Sequence, residues 1–218
     1  LMARTKNRPL PEGRVDPAEA LSFGAVLTFF SVGLMGFAVN WAAAALLGFA
    51  SFFYVFIYTI WLKRITPQNI VIGGAAGAFP PMVGWAAVTG GVSLESIALF
   101  MLIFLWTPPH FWALALYRND DYKKAGIPML PVVAGEAATK RQMLLYTLLL
   151  TPFAVAPYFM GFAGAGYLAV AAVMHGLFII SAIKVLNETG YRFAKIMFGY
   201  SIFYLFALFA AMMLDRVV

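Results

Sequence analysis

Residues 96–116 read SIALFMLIFLWTPPHFWALAL, twenty-one positions without a single Asp, Glu, Lys or Arg. About 20 apolar residues in helical geometry cross the ~30 Å hydrocarbon core of a bilayer. The run is continuous rather than alternating, so it does not read as a barrel strand. Lipid offers the backbone no hydrogen-bond partner, which leaves a helix as the spanning form. Six more stretches read the same way: 21–39, 42–61, 70–89, 143–162, 166–186 and 196–214. Lys184 is the only Asp, Glu, Lys or Arg among them. The expected fold is therefore all-α, a polytopic membrane bundle of seven transmembrane helices.

The rest of the chain agrees. Of its residues 63% are hydrophobic and 11% are charged, and the mean hydropathy is +0.86. A soluble domain carries about 25% charged residues, so the solvent for most of this surface is lipid. There is no cysteine, which excludes disulfides, thiolate metal sites and a cysteine nucleophile. Pro80 and Pro81 are expected to bend or break the third span, and Pro108 and Pro109 the fourth. Gly73 and Gly77, and Gly74 and Ala78, stand four apart, a spacing that lets helix backbones approach closely.

The net charge of +6 needs no nucleic acid. With seven spans, 14 of the 15 Lys and Arg fall on one side: near the N-terminus, at Lys63 and Arg64, from Arg118 to Arg141, and from Lys184 to Lys195. That bias makes this side cytoplasmic, with residues 1–20 and 117–142 as cytoplasmic loops.

Three polar clusters share that face. One runs from Arg4 through Arg8 to Arg14, a second from Tyr58 through Lys63 and Arg64 to Asn69, and a third from Trp106 through His110 and Trp112 to Arg118, Asp120, Asp121 and Lys124. Cations beside paired carboxylates, above an aromatic-rich bundle, suit a phosphorylated lipid. Carboxylates hold Mg²⁺, which keeps waters and bridges to phosphate oxygens. Lys and Arg neutralise charge on a departing phosphate, and aromatic faces stabilise a neighbouring cation. A hydrated loop would carry Asp120-Asp121 as well, and these residues alone do not choose between the two.

Longer motifs are recognisable. Leu62-Lys63-Arg64-x-Thr66-Pro67-Gln68-Asn69-Ile70-Val71-Ile72-Gly73-Gly74 and Phe104-Leu105-Trp106-Thr107-Pro108-Pro109-His110-Phe111-Trp112 resemble the protohaem IX farnesyltransferases, also called haem O synthases, of the UbiA-type prenyltransferases. Gly126-Ile127-Pro128-Met129-Leu130-Pro131 and Arg4-Thr5-x-x-Arg8-Pro9-Leu10-Pro11 are similar to the same family. The resemblance is dense over residues 1 to 146. It implies a nine-helix bundle around a central cavity. It implies farnesyl transfer from farnesyl diphosphate to a vinyl group of haem B, a substrate rather than a cofactor, giving haem O and diphosphate with Mg²⁺ assisting. The family's first aspartate-rich motif lies upstream of the Arg4 stretch, so the chain is expected to be one prenyltransferase domain lacking two N-terminal helices.

On that resemblance Asp121, with Asp120, is the expected metal site. Lys63, Arg64 and Arg118 are expected to act with Asp121 in catalysis. Arg4, Arg8, Tyr58, Asn69, His110, Trp112 and Lys124 are expected to bind substrate, with Trp106 and Phe111 as further pocket aromatics. His110 either touches the haem or caps the bend after Pro109, and His175 reads as a neutral, hydrogen-bonded mid-span residue. The expected location is the bacterial inner membrane, in preference to the mitochondrial one, with the site facing the cytoplasm. Haem A synthase or terminal-oxidase assembly proteins are the expected partners.

Other readings stay on the table. A sister enzyme acting on a quinone precursor would share the diphosphate site but not the Trp-Thr-Pro-Pro-His-Phe-Trp stretch. A transporter would place charges at mid-bilayer, whereas nearly all charges here lie at one face. A non-catalytic membrane subunit is the third alternative.

Overall fold

The computed structural model describes residues 6–215. Seven helices in it are long and apolar enough to cross a membrane, and the chain is an integral membrane protein. In chain order they are α1 (Pro17–Ala38), α2 (Trp41–Phe52, continuing in wider turns to Arg64), α3 (Asn69–Thr89), α4 (Leu94–Tyr117), α7 (Gly135–Phe159), α8 (Ala165–Asn187) and α9 (Arg192–Leu214). Two short helices, α5 (Asn119–Lys124) and α6 (Leu130–Val133), lie between α4 and α7. The segment expected as a plain loop at 117–142 is thus mostly helical, and α7 starts eight residues before the apolar run that announced it. Its first two turns carry Glu136, Lys140 and Arg141, which a helix projecting past the hydrocarbon tolerates.

Helix α4 is the axis of the bundle. It packs against α3, α7 and α9, and Leu102, Trp112, Ala113, Ala115 and Leu116 along it are almost fully buried. By contrast α1 packs mainly on α2 and exposes Phe23, Phe29, Phe30 and Phe37, as a lipid-facing helix does.

Both tandem prolines sit inside unbroken helices, α3 and α4, so the expected break does not occur. Pro108 and Pro109 are buried with Thr107 and His110, and packing holds the helix through them. The irregular helix is elsewhere. Residues Phe53–Trp61 form a nine-residue π-helix, followed by a 3₁₀ turn at Leu62–Arg64. No glycine or proline marks it. Thr59 Oγ1 donates to the Tyr54 carbonyl five residues back at 2.8 Å, in keeping with the wider turn.

Side chains tie helix ends together. Asn40 caps α2, its Oδ1 accepting from Ala43 N at 2.8 Å, while its Nδ2 donates to the Ala86 and Ala87 carbonyls near the end of α3 at 2.9 and 3.1 Å. One amide thus serves the free N–H groups of one helix and the carbonyls of another. Asn40→Ala is expected to lower stability by about 1–2 kcal/mol, read as an earlier thermal unfolding transition in detergent with wild-type helicity. At the opposite end, buried Lys140 donates to the Glu188 carbonyl at 2.6 Å. The Glu188 carboxylate accepts from Arg192 N and Phe193 N at the start of α9.

Candidate active site

The turn Thr66-Pro67-Gln68 starts α3, with Thr66 Oγ1 accepting from Gln68 N at 3.2 Å. It brings Asn69, the first residue of α3, under the end of α2. Asn69 is 1% exposed, and its Nδ2 donates to the Lys63 carbonyl at 3.4 Å. Its Oδ1 is buried without a partner among the described residues. On the other side, Gly126 with φ +65° ends the turn after α5, where only glycine is at ease, and returns the chain toward Met129.

Between these turns lies a partly open cavity of about 1280 Å³. That exceeds the 300–1,000 Å³ typical of a single small-molecule site. Arg8, Lys63 and Arg64 supply its cations, and no carboxylate lines it among the described residues. Tyr58, Asn69 and Tyr122 add polar groups, while Ile60, Ile70, Phe111, Ile127 and Met129 make it apolar. A space with a cationic rim and an apolar lining suits a ligand with an anionic head and a hydrocarbon tail.

The structure therefore brings together Arg8, Tyr58, Lys63, Arg64 and Asn69. Asp120 and Asp121 sit beside the cavity on α5, whose Tyr122 lines it, as do Ala125 and Gly126 just beyond. Arg118 Nη1 approaches Asp121 Oδ2 at 3.7 Å, with side chains 53% and 37% exposed. An ion pair this open is weak, so it does not compete strongly for Asp121. Lys124 is exposed at the end of α5 and does not line the cavity. Arg4 lies outside the described residues.

His110 and Trp112 are placed away from the lining. Successive helical residues turn by about 100°, and on α4 it is Phe111 that reaches the cavity. His110 faces α9. Its Nδ1 meets Ser201 Oγ at 2.6 Å, and its ring lies between Trp106 and Phe198 at 4.3 and 4.8 Å. Ser201 Oγ is also within hydrogen-bond reach of the Phe198 carbonyl, at 2.6 Å. Trp112 is 1% exposed and meets Tyr146 of α7 edge-on at 5.5 Å. His175 is hydrogen-bonded mid-span to Thr151 and Tyr204, at 3.0 and 3.2 Å. Ser201 and Phe198, which seat His110, gave no signal in the sequence, because both lie in an ordinary apolar span.

The paired small residues have distinct jobs. A Cβ at Gly74 would stand 2.8 Å from Thr107 Cγ2 on α4, which is close helix packing. A Cβ at Gly73 would overlap the Tyr58 ring, and one at Gly77 would meet nothing within 4 Å.

Comparisons with known proteins fit this geometry. The profile described as the UbiA prenyltransferase family matches residues 1–207. The chain is 58% identical over 219 residues to the protoheme IX farnesyltransferase of Parvibaculum lavamentivorans, covering 99% of this chain and 69% of that protein. It is 57% identical over 220 residues to the protoheme IX farnesyltransferase of Rhizobium johnstonii, covering 99% and 70%. It is 58% identical over 223 residues to protoheme IX farnesyltransferase 2 of Mesorhizobium japonicum, covering 100% and 71%. A solved structure from work on digeranylgeranylglyceryl phosphate synthase in membranes superposes with a TM-score of 0.80 at 20% identity, covering 98% of this chain and 75% of that one. That likeness concerns the fold.

Proposed function

This chain belongs to the UbiA prenyltransferase family, and from that premise we propose that it transfers the farnesyl group of farnesyl diphosphate to a vinyl group of haem B, giving haem O and diphosphate. The observation that carries the acceptor is the 58% identity to protoheme IX farnesyltransferases along nearly the whole chain. The cavity supports it with a cationic rim for diphosphate and an apolar lining for the isoprenoid.

The chemistry follows from the residues. Arg8, Lys63 and Arg64 would hold the diphosphate oxygens and neutralise charge as the carbon–oxygen bond breaks and its electron pair leaves with the diphosphate. The vinyl π pair then forms the new carbon–carbon bond to the allylic cation. Ile60, Ile70, Phe111 and Met129 would keep water from that cation until the bond exists. Water added afterwards supplies the hydroxyl of the hydroxyethylfarnesyl product.

Divalent metal is the family's usual aid at the diphosphate, and Asp120 and Asp121 suit Mg²⁺. Among the described residues no cluster of three or more His, Cys, Asp or Glu gathers. Two carboxylates fit an ion that takes the rest of its shell from phosphate and water. When bound, Mg²⁺ supplies charge neutralisation to the leaving diphosphate. The site would face the cytoplasm of a bacterial inner membrane, given the charge bias of the loops. Haem A synthase or terminal-oxidase assembly proteins would be partners, since haem O feeds them.

Membranes containing the full-length protein test this with farnesyl diphosphate and, in separate arms, haem B or 4-hydroxybenzoate. Haem O is expected, lost on adding EDTA and restored by Mg²⁺. Prenylated 4-hydroxybenzoate with untouched haem would move the protein to the quinone branch.

A further inference from the structure

Gly73 lies on the second turn of α3 and does not line the cavity. Its missing side chain is filled by another residue. A Cβ there would overlap Cδ2 and Cε2 of Tyr58 and stand 3.0 Å from Cγ, the base of the ring. A rotation at the far end of the tyrosine would not clear it, so the whole ring would have to leave. General helix packing does not explain the glycine, because Gly77, one turn further along, meets nothing. The Tyr54 ring also lies 5.7 Å from the Tyr58 ring, so it limits where a displaced ring can go.

Tyr58 itself belongs to the π-helical stretch Phe53–Trp61 and lines the cavity with Lys63 and Arg64. The 3₁₀ turn that follows it is tied to α3 as well, at Asn69, which donates to the Lys63 carbonyl. Two contacts thus tie the end of α2 to the start of α3. One is a ring in a notch, the other a side chain on a backbone carbonyl.

The geometry points to Gly73 as a positioning residue for farnesyl transfer: it is the notch that seats the Tyr58 ring and so holds the Tyr58 hydroxyl in the cavity. This rests on the cavity being the transfer site. A misplacement near 1 Å costs as much as a hundredfold in rate, so a displaced Tyr58 shows in kcat.

The test is a cycle of variants in the full-length protein: Gly73→Ala, Tyr58→Phe and Tyr58→Ala alone, and Gly73→Ala combined with each Tyr58 variant. The readouts are kcat for haem O formation, KM for farnesyl diphosphate, and thermal unfolding in detergent. Gly73→Ala alone is expected to lower kcat about tenfold and, because its Cβ overlaps the Tyr58 ring, to lower the unfolding temperature. In the Tyr58→Phe background it should cost less than about twofold further in rate while its stability penalty persists, because the ring remains and the hydroxyl is gone. In the Tyr58→Ala background both penalties should vanish. If Gly73→Ala alone fails to accumulate, Tyr58→Ala should restore its abundance. A Gly73→Ala protein of wild-type activity overturns the proposal, as does a rate loss of the same size in all three backgrounds, or an abundance defect that Tyr58→Ala leaves in place. Wild-type haem O formation, measured in the same series, separates a failure of the assigned reaction from a failure of this assignment.

Discussion

Asp121→Asn is expected to lower haem O formation by at least about a hundredfold, with normal membrane abundance. The carboxylate sits on α5 beside the cavity, more than a third exposed and only loosely paired with Arg118. Its side chain supports no buried packing, so the amide should fold equally well. An amide keeps one hard oxygen but loses the charge that draws a strongly hydrated Mg²⁺ from water. Asp120→Asn should cost less, because Asp120 is the more exposed of the pair. Rates measured against Mg²⁺ concentration decide the matter. Near-normal turnover with an unchanged Mg²⁺ dependence would remove Asp121 from the metal site.

Lys63→Met is expected to lower kcat/KM for farnesyl diphosphate by about a hundredfold. Methionine keeps most of the apolar stem and deletes the charge. Lys63 lies in the 3₁₀ turn at the end of α2, half-buried, and its carbonyl is held by Asn69. In the proposed reaction its ammonium group would face diphosphate from a backbone held by Asn69. Arg64 and Arg8 remain in the lining and should preserve weak binding, so the loss falls on kcat more than on KM. Lys63→Arg should recover part of the rate, since the charge returns on a different geometry. Steady-state kinetics in membranes would show it, and a Lys63→Met protein with wild-type kcat/KM would take Lys63 out of catalysis.

Hydropathy alone located all seven spans, because each helix must satisfy its own backbone in lipid. The ends were less legible. Apolar content cannot show that α7 begins at Gly135, where the helix runs on through charged turns. Proline does not break the helices at Pro80–Pro81 or Pro108–Pro109, where α3 and α4 run on continuously. The π-helix at Phe53–Trp61 left no trace in composition, since no glycine or proline marks it. Of the expected site, the residues flanking one turn come together in space. Lys63, Arg64 and Asn69 surround Thr66-Pro67-Gln68 and meet in the cavity. Within α4 the motif Trp106–Trp112 was legible as a block but not by face. Phe111 reaches the cavity, while His110 and Trp112 pack against α9 and α7.

In the proposed reaction farnesyl diphosphate occupies the cavity between the end of α2, the start of α3 and the turn after α5. A photoreactive farnesyl diphosphate analogue, cross-linked in membranes to the full-length protein and mapped by peptide mass spectrometry, addresses this directly. Label is expected on the peptides spanning Tyr58–Ile70 and Tyr122–Met129, competed away by unlabelled farnesyl diphosphate. Competable label confined to the α8–α9 groove around Ile180, Lys184 and Phe193, with none on those two peptides, would contradict it.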